Sequence, residues 1–106
     1  MKHESIGIAL LGFGNVGSGT YRVLEDNAAL ISKRVGADVR VKAILVRDLQ
    51  KQRSEQAPQH LFTDNIETIL NNPDIHIVAE LMGGMDPAVP YMERAIKSGR
   101  HVASAN

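Results

Sequence analysis

Residues 6–17, Ile6-Gly7-Ile8-Ala9-Leu10-Leu11-Gly12-Phe13-Gly14-Asn15-Val16-Gly17, run from an apolar segment of strand length straight into G-x-G-x-x-G. Val16, Thr20, Leu24, Ala28, Ile31 and Val35 then recur at helical spacing. A strand, a glycine turn and a helix in that order is the context in which the glycine pattern carries meaning. Gly12 permits the tight turn off the strand, Gly14 leaves room for a diphosphate against the backbone, and Gly17 lets the helix pack close to the strand. The amide groups and positive dipole end of that helix then face an anion. The sequence therefore points to dinucleotide binding. The same glycines in another α/β turn would serve packing alone.

The rest of the chain reads as alternating strands and helices. The first helix is predicted over about 15–34, with Gly36 as its stop. A second strand follows at Val39–Val46, then a polar loop over 49–59 and a short third strand at Leu61–Thr63. Asp64 is predicted to cap a short helix over 65–71 that buries Ile66, Ile69 and Leu70. The fourth strand is Ile75–Met82, ending at Gly83-Gly84. Asp86 and Pro87 open a helix with the stripe Ala88, Met92, Ala95 and Ile96, which Gly99 ends before a fifth strand at His101–Ser104. Strands joined through helices pair in parallel with right-handed crossovers. The predicted fold is α/β: a Rossmann-type doubly wound parallel sheet, strand order 3-2-1-4-5, ending after strand 5. The ligand crevice belongs at the carboxyl ends of strands 1 and 4. Residues 1–106 form one NAD(P)-binding domain, expected to be a fragment of a longer chain that lacks the substrate and catalytic domain. The uncovered edge of the fifth strand predicts a homodimer or reduced solubility.

Several classes of function are excluded or disfavoured. Twelve Lys and Arg balance twelve Asp and Glu, which argues against nucleic acid as a partner. Without cysteine there is neither a disulfide nor a thiolate site. No segment approaches the roughly 20 apolar residues of a membrane helix, and the N-terminus has no room for a secretory apolar region. A cytoplasmic protein is expected. His3, His60, His76 and His101 show no metal-ligand spacing, so no metal site is expected.

Four clusters converge on the crevice: the loop Gly12–Gly17, Arg47-Asp48 after the second strand, Leu81–Gly84 after the fourth, and Ser104–Asn106 after the fifth. The second decides the cofactor. An acidic residue at that strand end accepts from the adenosine ribose and repels a 2′-phosphate, whereas an arginine pairs with the phosphate. Here Arg47 precedes Asp48, and Lys51 and Arg53 follow. This favours NADP and leaves NAD open; as plain solvated charges these residues would decide nothing. Gly83-Gly84 allows close passage by the nicotinamide ribose, or is an ordinary turn. Glu80 is a carboxylate in an apolar strand, either buried and hydrogen-bonded or turned to the crevice rim. Nothing beside it in sequence could act as its catalytic partner, and no proton-transfer machinery is visible.

The segments GFGNVGSG, LVRD, ELMGG and KSGRHVASAN, in that order over essentially the whole chain, resemble the N-terminal domain of homoserine dehydrogenase. The pattern of glucose–fructose and inositol dehydrogenases also has a fourth-strand run and G-[KR]-H-V. It continues towards Glu-Lys-Pro, which Ser-Ala-Asn does not match. The resemblance implies an oxidoreductase that interconverts aspartate 4-semialdehyde and homoserine with NAD(P)H, on the route to threonine, methionine and isoleucine. It implies the diphosphate on Phe13, Gly14, Asn15 and Val16, the 2′-phosphate on Arg47, and the nicotinamide half along Met82, Gly83 and Gly84 with Ser104 and Asn106 nearby. The family's lysine after Ala-Asn, its catalytic lysine and acid, its substrate pocket and its dimer-forming sheet lie further on. No catalytic residue is carried over, and the fragment is expected to be inactive by itself. Two alternatives are the cofactor domain of another NAD(P)-dependent oxidoreductase and a non-catalytic NAD(P)-sensing domain.

Overall fold

A computed structural model describes residues 5–51, 53, 56–83 and 86–105. The elements are β1 (Ser5–Leu11), α1 (Asn15–Asp26), α2 (Ala28–Val35), β2 (Asp38–Leu45), β3 (Phe62–Thr63), α3 (Ile66–Leu70), β4 (Ile75–Glu80), α4 (Ala88–Lys97) and β5 (His101–Ser104). A single turn of 3-10 helix at Gln59–Leu61 leads into β3. The five strands form one parallel sheet in the order β3-β2-β1-β4-β5, as expected from the alternation of elements.

β1 is the central strand and is apolar on both faces because both are covered. Ala9 and Leu11 join Ala43, Leu45, Ile66, Ile69, Ile75, Val78 and Ala95 in the core under α3 and α4. Ile8 and Leu10 join Tyr21, Val41, Ile44, Val46, Ala57 and Phe62 on the opposite face, under α1. Simple alternation would put Val41 and Ala43 on one face. They lie on opposite faces because the register with β1 shifts at Lys42: Ile8 pairs with Val41 and Ala9 with Ala43. A matching shift at His76 lets Gly7 pair with Ile75 and Ile8 with Ile77. Each bulge turns one polar side chain out of the ladder. The Gly7 N–H beside the second bulge donates instead to His76 Nδ1 at 3.0 Å.

The predicted first helix is two helices that break at Asn27. Its buried face also differs from the expected stripe, for Val16 and Val35 are more than half exposed while Gly17 and Tyr21 are buried. Tight contact between Gly17 and the glycine loop sets the rotation of α1, so the small residue faces the sheet and Val16 turns outward. Gly36 ends α2 in the left-handed conformation, φ 80°.

Asp64 does not cap α3. Asn65 does, its Oδ1 accepting from the Glu67 N–H at 2.9 Å. Nor does Asp86 cap α4: Pro87 holds the N-cap position, with no side-chain hydrogen bond. In α4 the core contacts come from Ala88, Ala95 and the partly buried Tyr91, while Ile96 is 60% exposed. β4 stops at Glu80, leaving Leu81 and Met82 in the loop. Among the described residues no helix is long and apolar enough to cross a membrane.

Candidate functional site

The carboxyl ends of β1, β2 and β4 enclose a crevice of about 430 Å3. Its floor is the glycine loop. Gly12 turns off β1 at φ 108°, a conformation that side-chain-bearing residues rarely adopt. It is also hemmed in, since a Cβ there would lie 3.1 Å from both the Leu81 carbonyl oxygen and Met82 Cγ. The loop therefore runs directly against the exit from β4. On its other side, a Cβ built on Gly17 would overlap the Gly12 carbonyl oxygen and come within 2.9 Å of its carbon. Gly14 stands apart from both, with nothing within 4 Å of a Cβ at that position. It occupies the N-cap position of α1 and contributes no side-chain cap. The first-turn amides of α1 are thus left to a ligand or water, in a field that favours an anion.

Phe13 lines the crevice and anchors the loop by its ring. It packs edge-on against Phe62 (5.1 Å between centroids) and Tyr21 (6.1 Å). Burial, with Glu25 nearby as a smaller cause, pushes the Tyr21 phenol above its ordinary value.

On the β2 side the wall carries Arg47, Lys51 and Arg53. Arg53 is held in place by a 2.6 Å hydrogen bond from its guanidinium to the Asp48 carbonyl, and it stacks 5.6 Å over the Phe62 ring. The Asp48 carboxylate is engaged within its own loop, accepting from the Gln50 N–H at 2.9 Å. Arg47 reaches across the crevice, and its guanidinium donates to the Asp86 carbonyl at 2.8 Å. The opposite wall is Leu81, Met82, Pro87 and Tyr91.

Of the residues expected at the site, Gly12, Phe13, Gly14, Arg47 and Met82 line the crevice together. Asn15 and Val16 form the exposed first turn of α1 beside it, and Gly17 is buried beneath the loop rather than at its surface. Gly83 follows Met82 and is exposed. Ser104 does not line the crevice; its hydroxyl donates to Glu80 Oε1 at 2.8 Å. Gly84 and Asn106 lie outside the described residues. Glu80 is buried and hydrogen-bonded, which settles which of its two expected environments it takes.

Sequence reasoning missed Asp64, Pro87 and Tyr91. Asp64 read as a helix cap, but with Asn65 in that role it lines the crevice instead. Tyr91 falls one turn into α4, where only the tertiary structure shows which way that face points. No cluster of His, Asp or Glu that could hold a metal is found among the described residues.

Residues 12–106 match the family described as homoserine dehydrogenase, NAD-binding domain. The homoserine dehydrogenase of Synechocystis is 42% identical over 102 residues, covering 96% of this chain and 23% of that protein. That of Bacillus subtilis is 34% identical over 103 residues, covering 97% and 24%. A crystal structure of the S. aureus homoserine dehydrogenase superposes with a TM-score of 0.90 at 38% identity, covering 99% of this chain and 26% of that one. The chain thus spans about a quarter of the length of the relatives it matches. With the five-stranded sheet, the glycine loop and a match over nearly every residue, this chain belongs to the NAD-binding domain family of homoserine dehydrogenases.

Proposed function

We propose that the crevice binds NADP(H) in preference to NAD(H), and that the chain is the cofactor domain of an enzyme interconverting aspartate 4-semialdehyde and homoserine. The observation that carries the cofactor preference is the β2 wall. Three cations line it against a single carboxylate, Asp64, which follows β3, while the Asp48 carboxylate at the end of β2 accepts from the Gln50 N–H. A 2′-phosphate there would gain charge-assisted hydrogen bonds, with Arg47 offering a two-pronged donor.

Space at the loop fits the rest of the cofactor. The open volume over Gly14 admits a diphosphate against the backbone, within reach of the first-turn amides of α1. When bound, the dinucleotide supplies hydride chemistry; the chain's own residues supply binding and orientation. Gly12, Gly14 and the α1 amides would hold the diphosphate. Arg47, Lys51 and Arg53 would hold the phosphorylated adenosine end. Met82 and Tyr91 would bound the other half and exclude water from it. The resemblance at Gly83, Gly84, Ser104 and Asn106 supports the same end for the nicotinamide.

Membership of a family of biosynthetic enzymes supports a cytoplasmic location. The position of β5 at the end of the strand order supports self-association of this chain, which sedimentation velocity over a range of concentrations tests.

Calorimetric titration with NADPH and NADH, at low and high salt, tests the cofactor reading. Tighter NADPH binding that weakens with salt supports it. Equal binding of the two nucleotides refutes the assignment of the β2 wall to a 2′-phosphate.

A further inference from the structure

Glu80 is the one charged residue in the buried core among the described residues, at 1% exposure. Removing a carboxylate from water is costly unless its oxygens are hydrogen-bonded. Here Oε2 accepts from the Met82 N–H at 2.6 Å, and Oε1 accepts from the Ser104 hydroxyl at 2.8 Å. The Glu80 carbonyl also accepts from the Ala105 N–H at 3.1 Å. One residue therefore ties the chain leaving β4 to the end of β5. Both carboxyl oxygens act as acceptors in these bonds.

Topology places this group relative to a bound dinucleotide. On the proposed reading the molecule would straddle β1, with its diphosphate on the glycine loop and its adenosine end over β2, where the cations are. Its nicotinamide end would then lie over β4, past Leu81 and Met82, which pack against the glycine loop at Gly12. Glu80 sits directly beneath that exit. The oxidised nicotinamide ring carries a positive charge and the reduced ring none. An ionised Glu80 below it would act through protein rather than water, so its field would be weakly screened.

We propose that Glu80 is a positioning residue of the cofactor site, fixing the Met82 backbone under the nicotinamide half and favouring the oxidised ring over the reduced one. A site that holds the oxidised ring more tightly makes hydride loss from the reduced ring more favourable. The proposal rests on the dinucleotide reading of the crevice.

The experiment is calorimetric titration of the 106-residue chain with NADP+ and NADPH, for wild type, Glu80→Gln and Glu80→Asp. In Glu80→Gln the amide oxygen can still accept from Met82, and its NH2 can donate to Ser104. Folding is then retained while the charge is gone. The preference for the oxidised form is expected to fall severalfold. Glu80→Asp keeps the charge and shortens the reach, so both affinities fall and the preference stays. A Glu80→Gln chain with the wild-type preference overturns the proposal, as does an equal loss of preference in Glu80→Asp. Should Glu80→Gln fail to fold, wild type decides: tighter binding of NADP+ supports the proposal, and equal or tighter binding of NADPH overturns it. Wild type that binds neither nucleotide removes the dinucleotide reading itself, and this proposal with it.

Discussion

Gly14 and Gly17 are three residues apart in one motif, yet alanine should fail at each for a different reason. At Gly17 the added Cβ collides with the Gly12 carbonyl, a backbone atom that can yield only if the loop or α1 moves. Overpacking of this kind costs about 1–3 kcal/mol. Against it stands the gain from replacing a helical glycine with alanine, about 0.5–1 kcal/mol. The net loss spans about 0–2.5 kcal/mol, and overlap with a backbone atom puts it near about 2 kcal/mol, which for a domain of this size lowers Tm by about 8–16 °C. At Gly14 the Cβ meets nothing within 4 Å, and φ is −78°, open to any residue. Stability should fall by about 0.5–1 kcal/mol, the cost of alanine in place of glycine at an N-cap. The methyl instead enters the space over the loop where a diphosphate must approach, so NADPH affinity should fall at least tenfold, about 1.4 kcal/mol. Thermal melts and calorimetry on the two variants separate the effects. A Gly14→Ala chain that binds NADPH like wild type would refute the placement of the diphosphate. A Gly17→Ala chain with an unchanged Tm would refute the tight approach of α1 to the loop.

Arg47→Ala should weaken NADPH about tenfold, leave NADH nearly unchanged and flatten the salt dependence of NADPH binding, all read by titration. Asn65→Ala removes the one side-chain cap of α3 and should cost about 1 kcal/mol, seen as a lower midpoint in urea unfolding with the slope unchanged. Burial raises the Tyr21 phenol above 10.0, so the stability it contributes is present below about pH 10 and is lost as pH rises through the folded value. Denaturation against pH should therefore show a steeper alkaline decline in wild type than in Tyr21→Phe; identical profiles would count against this.

Much of the architecture was legible because it follows from period and punctuation. An apolar run before G-x-G-x-x-G, and strands alternating with helices, left few topologies open. Arg47 was legible because its place in the motif sets its place at a strand end. What escaped the sequence has physical causes. The buried face of α1 is led by Gly17, which has no side chain and so leaves no trace in an apolar stripe; Val16 beside it leaves a false one. Asp64 and Asn65 are adjacent and chemically equivalent as caps, and the chain's path into α3 chooses between them. The bulges at Lys42 and His76 depend on how three strands pair, which no single strand records. The Arg47 contact with Asp86 joins positions 39 residues apart, beyond any local pattern.

β5 has only four residues, three of them exposed, and by burial alone it should be the first strand to open. Side chains rivet it at both ends. At the start, Arg100 donates to the carbonyls of Ile75 (2.9 Å) and Asn72 (2.5 Å). At the finish, Ser104 is held by Glu80. An opening that frees β5 must break both, so its amides should exchange with solvent hydrogen in concert with those of β4 rather than fray one by one. The β4–β5 side of the sheet would then behave as a single cooperative unit, although its outermost strand contributes almost nothing to the core.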